Sequence, residues 1–355
     1  MSDELSLPII DISPWLEEVQ EDEKKERVCK DVNNACCEWG FFIITGLPTT
    51  FTESILPNAA NQSRQFFASP LSTKQPQNTD TATATAYGYF GMESESLTNE
   101  NDNNNDSKKL PDLREAWSMG PVTPMSNRLL QLYNNNNNHN NHHDDGMYRE
   151  VIDFCYQKTP WPLSSSSFQS SLTDFYVETS NIGRVVLQII ARCLDLPETY
   201  FQQASMEGEH CNSARAIWYP KLQTKAKHNQ YRCGPHTDSG VLTLLWTDGL
   251  GLEIQTTHHH HQQQHGSSLS WIPITNLPTN SLLINIGDLL QQASGQKWRS
   301  TPHRVLAPKL NDTLYNQNRL VLVLFLLMAA DFPIPQMDMT QGEYLYRQFQ
   351  KWKQD

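Results

Sequence analysis

The stretch from Gly234 to Gln255, reading GPHTDSGVLTLLWTDGLGLEIQ, constrains the fold of this chain more than any other. Val241 to Trp246 is rich in β-branched and apolar residues, Asp248-Gly249 and Gly251 are turn signals, and Leu252 to Gln255 resumes the apolar pattern. The spacing predicts a strand, a turn and a strand. Just ahead, His236 and Asp238 stand at i and i+2. Side chains of an extended chain alternate faces, so both are expected on one side of a single ladder. An imidazole and a carboxylate meeting at one point suit a divalent ion of borderline softness. A second His completing the face, with the opposite positions open, suits non-haem Fe(II). H-x-D alone is weak, because His142/Asp144 and His143/Asp145 repeat it inside an Asn/His run where no strand is credible. The plain reading of such a pair is a surface His beside a turn Asp.

The surroundings are a series of short strands. Arg215 to Tyr219, Leu269 to Ile274, Ser281 to Ile286, Val305 to Ala307 and Arg319 to Met328 all read as strands, and many of these separated by turns indicate a sandwich or barrel. Nearer the N-terminus, Leu7 to Ile12 and Gly40 to Thr45 are strands, while Glu17 to Trp39 and Phe51 to Phe67 are amphipathic helices. The longest helical pattern, roughly Ser170 to Leu194, repeats Leu172, Phe175, Tyr176, Ile182, Val186 and Ile189 at helical spacing and is expected to back a sheet. Tyr87-Gly88-Tyr89-Phe90 and Asp112 to Met119 are ordered-looking islands in polar sequence. Three tracts, near 93–109, 134–146 and 257–268, bury too little apolar surface to fold on their own and read as surface insertions. The last, with its HHHHQQQH run, is an expanded hairpin loop rather than a zinc site. We expect residues 1–200 to be a mixed α/β region packing on the core, 201–335 the β-rich core, and 336–355 a C-terminal helical tail.

Composition narrows the partners. A net charge of -12 over 355 residues argues against nucleic acid, because phosphate binding relies on clustered Lys and Arg. Seven Cys, an odd number without C-x-x-C pairs, read as reduced thiols in a cytoplasmic protein. Cys233, three residues before His236, is expected to be a buried apolar residue rather than a sulfur ligand. The N-terminus lacks the basic and apolar regions of a signal peptide. The greasiest run, Leu320 to Ala330, is far short of the ~20 residues a membrane helix needs. A monomer acting on a small molecule, away from membranes, is the expectation.

The second His comes from elimination. Of the twelve His, 139, 142, 143, 210, 228, 258 to 261 and 265 fall in polar tracts or read as loop residues, leaving His236 and His303 in strand context. His303 opens a short strand within QKWRSTPHRVLAP, beyond a buried strand, SLLINIGD, that ends in a Gly-Asp turn. In order, LPIIDIS, WGFFIITG, YGY, DLREAWSMG, WYP, GPHTDSGVLTLLW, GLEIQ, WIPI, LLINIGDLLQ, STPHRV and a following Arg resemble the isopenicillin N synthase-like branch of the Fe(II)/2-oxoglutarate-dependent oxygenases. The resemblance covers nearly the whole chain outside the three polar tracts.

The resemblance implies a mainly β fold, a double-stranded β-helix or distorted jelly roll with buttressing helices. It implies His236, Asp238 and His303 as Fe(II) ligands. It implies Arg319 as the guanidinium that grips the distal carboxylate of 2-oxoglutarate, and Tyr219 as a hydroxyl contact to the same cosubstrate. A planar fork suits a carboxylate; the alternative for Arg319 is an ordinary ion pair. The implied reaction couples oxidative decarboxylation of 2-oxoglutarate with dioxygen to hydroxylation, desaturation or ring closure of a small organic substrate. Three positions depart from the family pattern: Val321 replaces the serine of R-x-S, Ile217 the asparagine of N-x-Y-P, and Lys221 a proline. The missing hydroxyl is worth about 1.5 to 3 kcal/mol if nothing replaces it. A 2-oxoglutarate-independent oxidase or cyclase of the same fold, a non-catalytic binding protein, and a zinc hydrolase are the competing readings. Tyr87, Tyr89, Leu324 and Phe325 are candidate walls of the substrate pocket, with core packing as their alternative role.

Overall fold

The computed structural model describes residues 6–17, 22–75, 86–96, 110–135, 145–162, 166–257, 269–275, 277–335 and 337–354. Most of the three polar tracts expected as insertions, namely 97–109, 136–144 and 258–268, lie outside the described residues. The chain begins with β1 (Ile9–Asp11), α1 (Ser13–Leu16), α2 (Asp22–Glu38) and β2 (Phe41–Thr45). A π-helical turn at Phe51–Ile55 leads into α3 (Leu56–Ala68), followed by α4 (Leu71–Lys74), β3 (Gly88–Phe90) and β4 (Glu115–Met119). Then come α5 (Asn127–Asn135), α6 (Asp145–Cys155) and the long α7 (Ser166–Cys193). The remainder is β5 (Ser213–Tyr219), β6 (Cys233–His236), β7 (Leu242–Thr247), β8 (Leu252–Thr257), β9 (Leu269–Pro273) and β10 (Leu282–Ile286), then α8 (Asp288–Ala293), β11 (His303–Val305), β12 (Arg319–Leu326) and α9 (Gln341–Gln354).

The strands form two sheets. An eight-stranded sheet runs β1-β2-β10-β7-β12-β5-β4-β3, and a four-stranded sheet runs β6-β11-β8-β9. All pairings except β1 with β2 are antiparallel. β12 shows why the larger sheet sits where it does. Its sequence RLVLVLFL is apolar on both faces, the mark of a strand covered on both sides. With a period of two, Leu320, Leu322, Leu324 and Leu326 join the cluster built with Val32, Phe66, Phe175 and Val186 of α2, α3 and α7. Val321, Val323 and Phe325 turn the other way, toward Cys233, Leu252, Ile254 and Val305 of the smaller sheet. The result is the expected distorted jelly roll, with helices buttressing the larger sheet.

Most elements match the sequence reading to within a few residues. Differences cluster where polar and apolar signals mix. β6 ends at His236, so Asp238 lies past the strand and not on the same ladder. The loop that carries it is fastened elsewhere: Asp288 N donates to Asp238 O at 2.8 Å, Gly287 N to Val241 O at 2.9 Å, and Leu289 N to Gly240 O at 3.2 Å. Gly287 allows this approach, since a Cβ there would stand 2.1 Å from Gly240 O. The SLLINIGD strand therefore leads into the helix α8 rather than a simple turn. α5 and α6, flanking the Asn/His tract, are absent from the sequence reading, although Leu129, Val151, Ile152 and Cys155 are buried. His210, read as a loop residue, is 1% exposed and forms a bridge with Ala329. Among the described residues no helix is long and apolar enough to cross a membrane.

Candidate metal and cosubstrate site

His236 closes β6 and His303 opens β11. The two are cross-strand partners in the smaller sheet, with ring centroids 4.3 Å apart. Asp238 reaches the same point from the loop leaving β6. His236 Nε2 and His303 Nε2 each lie 3.8 Å from Asp238 Oδ1, and one ligand atom from each of the three residues falls within 4.8 Å of the others.

Each group is held by its other polar atom. His236 Nδ1 lies 2.8 Å from Gly234 O and His303 Nδ1 lies 3.2 Å from Thr301 O. A proton on each Nδ1 satisfies those carbonyls and leaves Nε2 as a free lone pair. Asp238 Oδ2 accepts from Thr243 Oγ1 and from Asn285 Nδ2, the latter at 2.8 Å, leaving Oδ1 free. Thr243 and Asn285 belong to β7 and β10 of the larger sheet, so the candidate centre joins both layers. Such outer partners fix ligand orientation at metal sites. Phe41 packs edge-on against His303 at 5.5 Å.

The electrostatics agree with a cation here. Burial, and then the neighbouring His236, push His303 down to about 4, so its imidazole is neutral near pH 7, as ligation requires. Burial alone would raise Asp238, but His303, His236 and the two hydrogen bonds together hold its carboxyl below the usual range. Cys233 Sγ lies 3.9 Å from His236 Nδ1. Burial pushes its thiol up to about 12, so it remains protonated and is no thiolate ligand. All seven cysteines are free.

A cavity of about 260 Å³ opens between the sheets onto this triad. Arg319 and Tyr219 both line it, and they are cross-strand partners on β12 and β5. Arg319 Nε donates to Gly249 O at 3.1 Å, and its guanidinium lies 5.0 Å from the centre of the Tyr219 ring. Its Nη1 is buried without a hydrogen-bond partner, and burial pulls the group below the ordinary arginine value. A buried guanidinium with an unsatisfied N–H is a costly arrangement unless an anion completes it. Among the described residues Arg319 makes no ion pair. Burial keeps Tyr219 at about 12, so its phenol is a donor. Val321 and Ile217, the two departures from the family pattern, are themselves cross-strand partners and both line the cavity. At that point the cavity wall carries two apolar side chains where the family pattern has two polar ones. Lys221 donates its backbone N–H to Asn318 Oδ1 at 2.8 Å.

Of the four candidate wall residues, Phe325 and Tyr87 line the cavity. Leu324 does not: adjacent residues of a strand cannot share a face, and it packs on the helix side. Tyr89 is also turned away, donating to Glu115 Oε2 at 2.5 Å and meeting Phe66 edge-on. Its i+2 spacing from Tyr87 does not put the two together, because Tyr87 precedes β3 and Gly88, at φ +113°, breaks the pleat between them. The sequence reading missed Thr243 and Asn285, polar residues in otherwise apolar strands. It also missed Glu95, Arg114 and Arg215 in the cavity wall, and Leu345 and Phe349 of α9, which line the same cavity.

Comparison with known proteins completes the picture. Residues 7–144 match the family described as non-haem dioxygenase in morphine synthesis N-terminal, and residues 208–327 match the 2OG-Fe(II) oxygenase superfamily. The chain belongs to the 2OG-Fe(II) oxygenase superfamily. It is a 2-oxoglutarate-dependent dioxygenase, with Fe(II) as cofactor and 2-oxoglutarate and dioxygen as cosubstrates. The His-Asp-His donor set and the orphaned Arg319 Nη1 fit the first two. Relatives include the validamycin A dioxygenase of Streptomyces hygroscopicus subsp. limoneus, 26% identical over 310 residues covering 85% of this chain and 72% of that one. A homoarginine-6-hydroxylase of Arabidopsis thaliana is 25% identical over 346 residues, 96% of this chain and 90% of that protein. Among solved structures, a full-length Neurospora crassa protein in complex with alpha-KG and thymine superposes with a TM-score of 0.72 at 22% identity, covering 99% of this chain and 98% of that one.

Proposed function

We propose that this dioxygenase is an isopenicillin N synthase-like member of the superfamily that hydroxylates, desaturates or cyclises a small organic molecule. In this reading His236, Asp238 and His303 ligate Fe(II), while Arg319 and Tyr219 hold 2-oxoglutarate. The observation that carries it is the convergence of three ligand atoms, each freed by a hydrogen bond to the other atom of its group, beside a buried guanidinium that lacks an anionic partner in the same cavity.

When bound, Fe(II) with 2-oxoglutarate and dioxygen supplies the oxidising power to act on a C–H bond, the 2-oxoglutarate leaving as succinate and carbon dioxide. The chain does the rest. Gly234 O and Thr301 O hold the two imidazoles in the tautomer that turns Nε2 inward. Arg319 fixes the far carboxylate of the cosubstrate, with the Tyr219 phenol as a second donor. Val321 and Ile217 offer no hydrogen bond, so this grip is leaner than the family pattern. Leu245, Leu252, Val305 and Val323 give the cavity a dry wall that excludes water.

The molecules named for the relatives, validamycin A, homoarginine and thymine, share little beyond small size, so the substrate is a question for this cavity's own lining. Residues 1–200 serve as the packing region, 201–335 as the catalytic core and 336–355 as the helical tail, with the N-terminal strands β1 to β4 extending the core sheet at both edges. A cytoplasmic monomer without nucleic-acid or membrane partners is the accompanying reading. Anaerobic titration of the Fe(II) protein with 2-oxoglutarate tests the site. Wild type should develop a metal-to-ligand charge-transfer band and, in air, release succinate. His236→Ala should do neither, and Arg319→Leu should need at least about ten times more 2-oxoglutarate. No band in wild type at saturating cosubstrate would sink the assignment.

A further inference from the structure

Two arginines in the cavity wall take no part in the metal or cosubstrate constellation. Arg215 shares one face of β5 with Ile217 and Tyr219 and stands about 13 Å of strand away from Tyr219; its cross-strand neighbours are Ser118 on β4 and Val323 on β12. Its Nη2 donates to both oxygens of Glu95, at 2.9 and 2.8 Å, and its guanidinium lies 5.1 Å from the centre of the Phe90 ring. Arg114, just before β4, is 3% exposed and puts Nη2 3.3 Å from Glu95 and 3.5 Å from Asp112. Asp112 does not line the cavity, and its Oδ1 is taken up by Gly234 N at 3.0 Å. Glu95 is therefore shared by the two cavity-lining arginines, with Asp112, off the cavity wall, as the second carboxylate of the group. Arg215 Nε and Arg114 Nε are both buried without a hydrogen-bond partner. Native interiors rarely leave such donors unmet, so the fold alone does not fully satisfy these two arginines.

We propose that this wall docks a carboxylate of the oxidised substrate, and that the substrate is a small organic acid with an apolar body; the assignment rests on the cavity being the oxygenase site. Glu95 and Asp112 offset the two guanidiniums in charge, so the preference for an acid comes from the unmet N–H donors, whose bonds to a carboxylate are charge-assisted and stronger than those to a neutral carbonyl. A guanidinium edge offers a carboxylate paired, charge-assisted donors. Phe90, Tyr87, Val323 and Phe325 provide the apolar surround for the rest of the molecule. Because Arg215 is displaced along β5 from Tyr219 and Arg319, the substrate acid and the cosubstrate carboxylate have separate anchors in one cavity. Binding one does not displace the other.

The test is calorimetric titration of anaerobic protein loaded with Fe(II) and 2-oxoglutarate, using 3-phenylpropanoate, 3-phenylpropanamide and 3-phenylpropanol as matched probes. The acid should bind about tenfold tighter than the other two, or better. Arg215→Lys keeps a positive charge for Glu95 but removes Nε–H, so it should cut that preference to about threefold or less. Its thermal midpoint reports whether the fold is kept, and Arg114→Lys gives a second reading on the same wall. Equal binding of the three probes by wild type, no binding of the acid at millimolar concentration, or an unchanged preference in both Lys variants would overturn the proposal. The wild-type comparison decides against it whether or not either variant folds. Failure of wild type to take up 2-oxoglutarate before any probe is added would instead count against the oxygenase site; the probes are then titrated into the Fe(II) protein alone.

Discussion

Each candidate ligand is a two-ended group with one end tied. Asp238 is the clearest case, since Oδ2 is committed to Thr243 and Asn285 and only Oδ1 faces the two imidazoles. Removing Asn285 would leave the carboxylate free to rotate. Asn285→Ala is expected to weaken metal binding by about 10- to 100-fold, read by anaerobic Fe(II) or Mn(II) titration; an unchanged affinity would mean that this hydrogen bond does not orient the ligand. His236 and His303 could be found from sequence because strand context separates them from ten other His. Thr243 and Asn285 could not be assigned that way. Their only trace is a polar residue inside VLTLLW and LLINIG, which says that a buried partner exists without saying which one. Arg215 gave a similar half-signal: a charge inside the apolar strand ARAIWY.

At the scale of elements, period-two alternation was the part of the fold most open to sequence reading. It placed β12 and β7 to within a few residues, and it is also what sends Leu324 and Phe325 to opposite faces. It failed where the chain leaves the pleat, at Gly88 and again after His236, because a turn sets side-chain direction by local backbone angles that spacing does not encode. The Asp238 loop is the instructive case. Its direction comes from three backbone hydrogen bonds onto the junction of β10 and α8, and that junction is close enough only because residue 287 has no side chain. Gly287→Ala should therefore destabilise the fold by about 1 to 3 kcal/mol and weaken metal binding as well, measured by urea unfolding and by the same titration. A variant that lost stability but kept wild-type metal affinity would show the loop to be positioned from elsewhere.

For the whole molecule, the triad sits at the seam of two layers, with both imidazoles on the smaller sheet and the carboxylate fastened to the larger. In the metal-free protein this seam responds to acid. Burial lowers His303 from 6.5 in the unfolded chain to about 4 in the fold. The unfolded chain thus takes up the proton first, and stability is lost as pH falls from about 6.5 toward 4, levelling off below that. The loss attributable to this residue is on the order of 3 kcal/mol. Urea midpoints of metal-free wild type and His303→Gln across that window should diverge accordingly, the variant showing the shallower fall; parallel curves would contradict a neutral, buried His303. The layering itself was legible in the sequence through the spacing of its short strands. The way N-terminal strands extend the core sheet was not, since pairing partners far apart along a chain leave no periodic mark.

The register of β5 has one more consequence. On the proposed assignments Tyr219 at one end serves the oxidant and Arg215 toward the other faces what is to be oxidised, and the strand between them is a fixed ruler that sets how far apart the two anchoring points lie. Reaction and choice of target are thus written on different lengths of the same ribbon. A descendant of this enzyme could acquire a new target by rewriting β3, β4 and the start of β5, and keep its combustion engine unaltered.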